Sequence, residues 1–328
     1  MKICIFGAGA IGGYLAAHLG NVAGVELSVV ARGAHLEAIK REGLRLQLPQ
    51  GERRVRVNST DRAADLGPQD LVIIALKSHQ VTPALNEISH LLGADTAVMP
   101  PTTGIPYWYF YGLKGHLSNQ RLDLIDPQGK QWAALDPARV LGCVYWVATE
   151  VTEPGVIHHD GSLSRFPIGE PDGSNSPRIT RAAEVFKAAG LDAPLVSDIR
   201  AWIWAKMSSS LCWNPIAVLT TCTLSEMCER PEVVAIIQRM MAEVDAMALA
   251  LGVQQMPVSI HERISAARRA GHHKMSMLQD VERGRPLELR VLLDAITALK
   301  TLAHFDTPTL DDVYAMLQLR VQKLGFTH

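Results

Sequence analysis

The sequence lacks any apolar run that could cross a bilayer. It has 328 residues, 48% of them hydrophobic, but no stretch reaches the roughly 20 apolar residues that a spanning helix needs. It also lacks an excess of charge of either sign, since 32 basic and 33 acidic residues leave a formal net charge of −1. That balance argues against a general nucleic-acid binder and against binding to a membrane surface. The length favours two domains with a large core.

Cysteine is also scarce. The five cysteines form no CxxC pair and are odd in number. Cys4 and Cys143 lie in apolar runs that are typical of strands, where cysteine acts as a small hydrophobe. This usage is typical of a reducing compartment, so we expect a cytoplasmic protein. The adjacent pair His158–His159 lies in a predicted strand and points to opposite faces, so we expect no metal site there.

The first thirteen residues, MKICIFGAGAIGG, form a pattern of strand, glycine turn and helix. In such a turn the first glycine permits the bend, the second lets a ligand approach the backbone, and the third lets helix and strand pack closely. Amide groups at the helix N-terminus then face a bound anion. The pattern therefore predicts a dinucleotide site, and the alternative is a packing turn rich in glycine and alanine.

The end of the second predicted strand, residues 26–30, selects between dinucleotides. An acidic residue there would bind the ribose 2′-hydroxyl of NAD, whereas an arginine can hold the 2′-phosphate of NADP. The residue is Arg32, and no carboxylate follows before Glu37. Because a planar guanidinium suits phosphate, we expect NADP rather than NAD. The alternative is an exposed arginine at a helix start.

Two further segments follow strands that would end at the same edge of the sheet. Lys77 follows the apolar run 70–76, and Thr103–Gly104 follows a short strand at 96–99. The carboxyl ends of parallel strands face the ligand crevice. Lys77 therefore either faces the cofactor or is a solvated loop lysine.

Residues 107–136 begin with an aromatic cluster, Tyr107–Tyr111. The cluster either lines a pocket or serves as a packing plug or subunit contact, and we favour packing.

Strands mixed with helices give way to helices alone near residue 197. This predicts an α/β protein with an N-terminal Rossmann-type dinucleotide-binding domain, residues 1–197, followed by an all-α domain, residues 198–328. The strands predicted after the first two are 44–48 and 54–57 as a hairpin, 70–76, 96–99, 140–150, 155–159, 163–168 and 194–196. The helices predicted after the first are 35–42, 79–92, 174–189, 198–213, 215–221, 231–251, 257–268, 286–303 and 309–324.

The helical half carries a polar stripe. Lys206, Ser210 and Asn214 are spaced i, i+4, i+8, which places them on one helix face. Such a stripe is either a solvent face or the lining of a site. Glu288 falls in the first turn of the helix predicted to begin at Pro286, where a carboxylate is favoured by the helix dipole alone.

Taken together, these motifs resemble the ketopantoate reductases (2-dehydropantoate 2-reductases) over essentially the whole chain. The segments that carry the resemblance are Gly7–Gly12, Arg32, 75–77, 154–156, 204–206, 214–215, 276–280, 284–288 and 307–308. The resemblance implies reduction of ketopantoate to pantoate with NADPH, in pantothenate biosynthesis, by a monomer or homodimer. Its partner would be a small 2-oxo acid, with no nucleic acid and no membrane.

The resemblance also implies roles for single residues. Lys206 would be the general acid, and Glu288 would hold the substrate hydroxyl and position Lys206. The cofactor would be bound by Gly7, Gly9, Ala10, Ile11, Gly12, Arg32, Lys77 and Thr103. The substrate would be bound by Lys206, Ser210, Asn214, Ser276 and Glu288.

The sequence departs from the family pattern at the substrate side. Thr103 and Ser210 stand where the family usually has asparagine, and no asparagine occurs near Leu224. A site that loses such donors can change its substrate. Two alternatives therefore stay open: a reductase of another 2-oxo acid or ketone, and a non-catalytic NADP-binding protein.

Overall fold

A computed structural model describes residues 1–162, 164–285, 287 and 289–326. The chain divides into two compact units, Met1–Ile199 and Arg200–His328.

The first unit combines strands and helices. Its strands are β1 Lys2–Phe6, β2 Glu26–Val30, β3 Leu44–Leu48, β4 Gly51–Val55, β5 Asn58–Thr60, β6 Leu71–Ile74, β7 Ala97–Met99, β8 Gly142–Cys143, β9 Thr149–Glu153, β10 Val156–His159 and β11 Ile168–Gly169. Its α-helices are α1 Ala10–Leu19, α2 Gly33–Glu42, α3 Ser78–Ser89, α4 Lys130–Ala134 and α5 Pro177–Ala188.

Five strands form a parallel sheet in the order β5–β2–β1–β6–β7. Apart from the inserted β3–β4 hairpin, this is the strand order of a Rossmann half, in which the chain starts at the centre and winds outward. The four residues of β6 are buried, as an apolar run in a sheet covered on both faces should be. The predicted α/β class is confirmed.

Helix α1 lies between this sheet and a second one. The second sheet has the order β4–β3–β10–β9, and α1 contacts strands of both sheets. Because two sheets cover it, α1 is buried on almost every side: Leu15, Ala16, Ala17 and Leu19 are fully buried. Its small, apolar sequence matches that position.

Several strand predictions need correction. The run 140–150 is not one strand, because β8 ends at Cys143 and β9 begins at Thr149. The run 163–168 contributes only β11 and an isolated bridge between Arg165 and Trp146, and Leu163 lies outside the described residues. Strand β5 was not predicted, since its residues Asn-Ser-Thr carry no apolar signal.

The second unit is helical. Its helices are α6 Ile199–Thr220, α7 Leu224–Cys228, α8 Pro231–Ala250, α9 Ile260–Arg269, α10 Ser276–Glu282, α11 Leu289–Ala303 and α12 Pro308–Lys323. No strand occurs in the described part of this unit, which confirms the predicted class. Met240, Met241 and Met247 of α8 are fully buried core residues. Over the described ranges, the helices are each too short or too polar to cross a membrane.

Helix α6 corrects the prediction of a break before Pro215, because it runs without interruption to Thr220. Proline has no amide hydrogen, so it leaves the carbonyl four residues earlier without its helical partner. That carbonyl belongs to Leu211, and it accepts a hydrogen bond from the hydroxyl of Tyr314 in α12 at 3.2 Å. Burial raises the pKa of Tyr314, so the hydroxyl stays protonated and able to donate. A tertiary contact therefore replaces the missing bond within the helix.

Replacing Tyr314 by phenylalanine is expected to lower the free energy of unfolding by about 1–2 kcal/mol, because the buried Leu211 carbonyl loses its donor. In a Pro215→Ala background residue 215 supplies an amide, so the same substitution should cost less than half as much. Urea denaturation of the four proteins of this cycle measures both values. Equal costs in the two backgrounds would contradict the pairing of Tyr314 with Pro215.

A buried arginine joins α8 and α9 through an ion pair and α6 through a hydrogen bond. Arg263 donates to Asp245 at 3.0 Å and to the Ser208 hydroxyl at 2.7 Å. Burial raises the pKa of Asp245, and the bonds from Arg263 oppose that rise. Since Ser208 lies two residues after Lys206, this network anchors the side of α6 that points away from the polar stripe.

Two histidines in the first unit, the half-buried His18 and the buried His159, are expected to make its stability depend on pH. Burial lowers the pKa of both His18 and His159. Within the described residues, the Nε2 atom of each ring is buried without a hydrogen-bond partner. A proton added at neutral or acidic pH would therefore be better accommodated in the unfolded chain.

The melting temperature is expected to fall as the pH decreases from about 7.5 to about 5.5. The folded pKa values lie below the ordinary value of about 6.5, so stability is fully present above that value and is lost below it. Carboxylates ordinarily titrate near pH 4, below this window, and Asp245, whose pKa burial raises, is present in both proteins compared below. The melting temperature of the double variant His18→Asn/His159→Asn should decrease much less over the same pH range. A decrease as large as that of the wild type would assign the effect to other groups.

Candidate functional site

A cavity of about 670 Å³ lies at the carboxyl edge of the parallel sheet. Its walls come from the glycine turn, the end of β2, the first turn of α2, the start of α3, and β9 of the second sheet. The lining residues are Phe6, Gly7, Ala8, Gly9, Val30, Ala31, Arg32, His35, Leu76, His79, Gln80, Pro83, Ala84 and Val151. This edge is where ligands bind in open α/β sheets.

The glycines of the turn differ in what surrounds them. Gly7 has φ of +105°, a conformation that side chains strongly disfavour. A Cβ at Gly12 would lie 1.9 Å from the Gly7 oxygen, so only glycine lets α1 pack this close to the turn. A Cβ at Gly9 would meet no atom within 4 Å, so open space lies beside this exposed residue of the cavity wall. These features suit the close approach of a pyrophosphate.

Ala10 and Ile11 are the first two residues of α1, directly after Gly9. Both are half-buried. Their amides belong to the first turn of the helix, where backbone donors have no partner within the helix.

Arg32 lies on the rim of the cavity. It is the residue before the first turn of α2, and its side chain is exposed. A guanidinium in that position can reach an anionic group on a ligand that runs from the glycine turn along the end of β2.

His35, three residues later, is bound on both ring nitrogens. Its Nδ1 accepts from the Gly155 amide at 2.9 Å, and its Nε2 lies 2.7 Å from the Ala8 oxygen. A nitrogen that accepts from an amide carries no hydrogen, so Nε2 carries it and donates to Ala8. Sequence reasoning missed this residue, although its place in the turn after Arg32 was a usable signal.

Lys77 and Thr103 lie near each other, as expected of residues that follow the neighbouring strands β6 and β7. Lys77 precedes α3 and is exposed, and its amide donates to Gln80 at 3.1 Å. The hydroxyl of Ser78 donates to the Thr103 carbonyl at 3.4 Å. Neither Lys77 nor Thr103 lines the cavity; Leu76, next to Lys77, does.

The aromatic cluster after Gly104 is packed inside the first unit. Trp108, Tyr109 and Phe110 are almost fully buried, and the Tyr107 hydroxyl donates to the Leu135 carbonyl at 3.1 Å. Burial raises the pKa of Tyr107. These residues therefore pack in the interior of the first unit, which is the alternative that we favoured from the sequence.

The polar stripe of α6 has a graded exposure. Lys206 is half-buried, Ser210 is exposed and Asn214 is buried. The Asn214 oxygen accepts from the Met277 amide at 3.1 Å, in the first turn of α10. Asn214 therefore holds the end of α10 beside the stripe, and the exposed Ser276 is the first residue of that helix. Glu288 lies outside the described residues.

The chain's buried thiols are poorly suited to nucleophilic chemistry. Burial raises the pKa of Cys4 to about 12 and that of Cys212 further. No group of three His, Cys, Asp or Glu side chains that could hold a metal ion occurs among the residues that the structure describes.

The fold and the cavity define a dinucleotide-binding protein of the α/β class. A family model described as ketopantoate reductase PanE/ApbA matches residues 3–106, and the model of its C-terminal part matches residues 198–321. The chain belongs to the ketopantoate reductase family, whose members use a nicotinamide dinucleotide. The resemblance noted in the sequence is confirmed.

Comparison with individual proteins agrees with this family assignment. The chain is 46% identical to a 2-dehydropantoate 2-reductase of Mesorhizobium japonicum, over 97% of both chains. A solved structure from Ralstonia solanacearum has a TM-score of 0.84 at 36% identity, over 99% of both chains. A D-mandelate dehydrogenase structure with NADH and anilino(oxo)acetate has a TM-score of 0.75 at 18% identity and covers both chains fully, which shows a shared fold alone.

Proposed function

We propose that this protein reduces 2-dehydropantoate to pantoate with NADPH. One observation carries the proposal: 46% identity over 97% of both chains to a 2-dehydropantoate 2-reductase. At that similarity and coverage, both the nucleotide half and the helical half have counterparts in the relative.

The cofactor side of the proposal rests on the glycine-lined cavity. Gly7, Gly9 and Gly12, with the first amides of α1 at Ala10 and Ile11, would bind the pyrophosphate. Arg32 would bind the 2′-phosphate, which is the reason to propose NADP rather than NAD. Lys77 and Thr103, beyond the neighbouring strands, would bind nearer the nicotinamide end.

The substrate side rests on the stripe of α6. When bound, NADPH would supply the hydride for the carbonyl carbon. The carbonyl oxygen then gains negative charge, and the Lys206 ammonium would stabilise that charge and donate the proton that completes the alcohol. Glu288 would hold the substrate hydroxyl and position Lys206, while Ser210, Asn214 and Ser276 would hold the polar ends of the substrate.

Two residues that differ from the family pattern, Ser210 and Thr103, favour a second candidate function, reduction of another 2-oxo acid or a ketone. Ser210 is exposed and shorter than asparagine, and Thr103 offers a hydroxyl in place of an amide. Both changes shorten the reach of polar groups toward a substrate and leave room for a bulkier one.

The decisive experiment follows NADPH oxidation by absorbance with 2-dehydropantoate and a panel of 2-oxo acids and ketones. The proposal expects the highest kcat/KM with 2-dehydropantoate. A higher value with another compound would favour the second candidate. Tight NADPH binding without turnover on any compound would indicate a non-catalytic NADP-binding protein.

We also propose the cytoplasm as its compartment and a monomer or homodimer as its state. The five cysteines all lie in the described residues and form no disulfide, which suits a reducing environment. The α8 methionines, which could have formed an interface, pack in the core of the second unit. Light scattering of the purified protein measures its mass in solution.

A further inference from the structure

The hydrogen bond from His35 to Ala8 acts on the peptide unit that joins Ala8 to Gly9. In a trans peptide the carbonyl and the amide point in opposite directions. Because the Ala8 oxygen is held by the imidazole at 2.7 Å, the Gly9 amide is turned away from it. A fixed carbonyl therefore fixes the direction of the next amide.

Ala8 is buried and the Gly9 carbonyl accepts from the Gly13 amide at 2.7 Å, but the cavity side of Gly9 adds no restraint of its own. Gly9 has no side chain, and the space where a Cβ would lie is open to 4 Å. Glycine samples backbone conformations more freely than any other residue, so an unrestrained peptide beside it would reorient at low cost. The His35 imidazole holds the oxygen of this peptide at 2.7 Å.

The second ring nitrogen ties His35 to another wall of the cavity. Gly155, which donates to Nδ1, lies in the turn between β9 and β10, and its own carbonyl accepts from the Arg45 amide at 2.9 Å. Val151 of β9 lines the cavity. The imidazole is thus held from one side by the second sheet while it holds the glycine turn on the other.

We propose that His35 is a positioning residue for the pyrophosphate of the dinucleotide. Its Nε2–H group orients the Ala8–Gly9 peptide so that the Gly9 amide donates to the pyrophosphate. This inference rests on the cofactor assignment of the proposed function. It predicts that His35 serves NADPH and NADH equally, since both carry the pyrophosphate, whereas Arg32 serves only the 2′-phosphate.

Two substitutions separate the two ring nitrogens. In His35→Asn the side-chain oxygen replaces Nδ1 and keeps the acceptor for Gly155, but nothing reaches Ala8. In His35→Gln the longer side chain places an amide nitrogen near the position of Nε2 and keeps the donor to Ala8. His90→Gln, at an exposed histidine just after α3, is the matched control.

The experiment is titration calorimetry of each variant with NADPH, NADH and adenosine 2′-monophosphate, which carries the 2′-phosphate but no pyrophosphate. His35→Asn should weaken NADPH and NADH alike by about fivefold, the effect of losing one neutral hydrogen bond. Binding of adenosine 2′-monophosphate should stay unchanged. His35→Gln and His90→Gln should bind all three ligands like the wild type.

Other results overturn the inference. If His35→Asn binds NADPH as tightly as the wild type, the Ala8 bond does not position the cofactor. If all three ligands weaken together, or if His35→Gln weakens as much as His35→Asn, the histidine only supports the fold. If the wild type itself does not bind NADPH, the cofactor assignment fails and this inference fails with it.

Discussion

Replacing Lys206 by alanine is expected to lower kcat with 2-dehydropantoate by a factor of about 10²–10⁴, the usual contribution of a positioned general acid. Without the ammonium, neither a proton nor a positive charge meets the oxygen as the carbonyl is reduced. NADPH affinity should remain within about twofold of the wild type, since Arg32 and the glycine turn are intact. Stopped-flow turnover and calorimetry measure the two quantities separately.

The control is Lys323→Ala, an exposed lysine at the end of α12. It should leave kcat unchanged. The kcat of Lys206→Arg is a second test of proton donation alone, because arginine keeps the positive charge but does not release a proton. If Lys206→Ala turns over at the wild-type rate, the general acid has been assigned wrongly.

Replacing Arg32 by aspartate is expected to weaken NADPH by about 100-fold while changing NADH by much less. Charge-assisted hydrogen bonds contribute about 1.5–3 kcal/mol each, and 1.4 kcal/mol corresponds to a factor of ten. The new carboxylate also repels the 2′-phosphate, whereas it can accept a hydrogen bond from the 2′-hydroxyl of NADH. The ratio of the two dissociation constants is the measurement.

Arg41→Asp is the matched control for this change. Arg41 lies near the end of the same helix, is exposed and pairs with Glu42. Its replacement should leave the NADPH-to-NADH ratio unchanged. An unchanged ratio in Arg32→Asp itself would remove the basis for proposing NADP.

Strong local periodicity predicted most of the fold. The apolar run before Gly7 and the long apolar helices of the second unit were recognisable because burial imposes a repeat on the sequence. The edge strand β5 was not predicted, because it is polar: it pairs with β2 through its backbone and through a hydrogen bond from the Asn58 side-chain amide to the Ser28 hydroxyl. The predicted helix break before Pro215 was wrong. The rule that proline ends a helix considers only neighbouring residues, whereas the donor that replaces the missing bond is the hydroxyl of Tyr314, about a hundred residues away.

The candidate site was predictable where one short motif holds the chemistry. The glycine turn and Arg32 are close in sequence to the strands that position them, so their place on the cavity follows from local order. His35, Val151 and the cap that Asn214 provides for α10 were not predicted. Each depends on a contact between segments that are distant in sequence, such as Asn214 with Met277.

By itself the sequence determined the class of fold, the dinucleotide turn and the resemblance to the ketopantoate reductases, because these depend on residue order and burial pattern. Only the tertiary structure decided that a helix continues through Pro215, that the aromatic cluster is core, and that one imidazole holds the glycine turn. Hydrogen bonds such as that from His35 to Ala8 leave no periodic trace in a sequence. They exist only once folding has brought their partners within about 3 Å of each other.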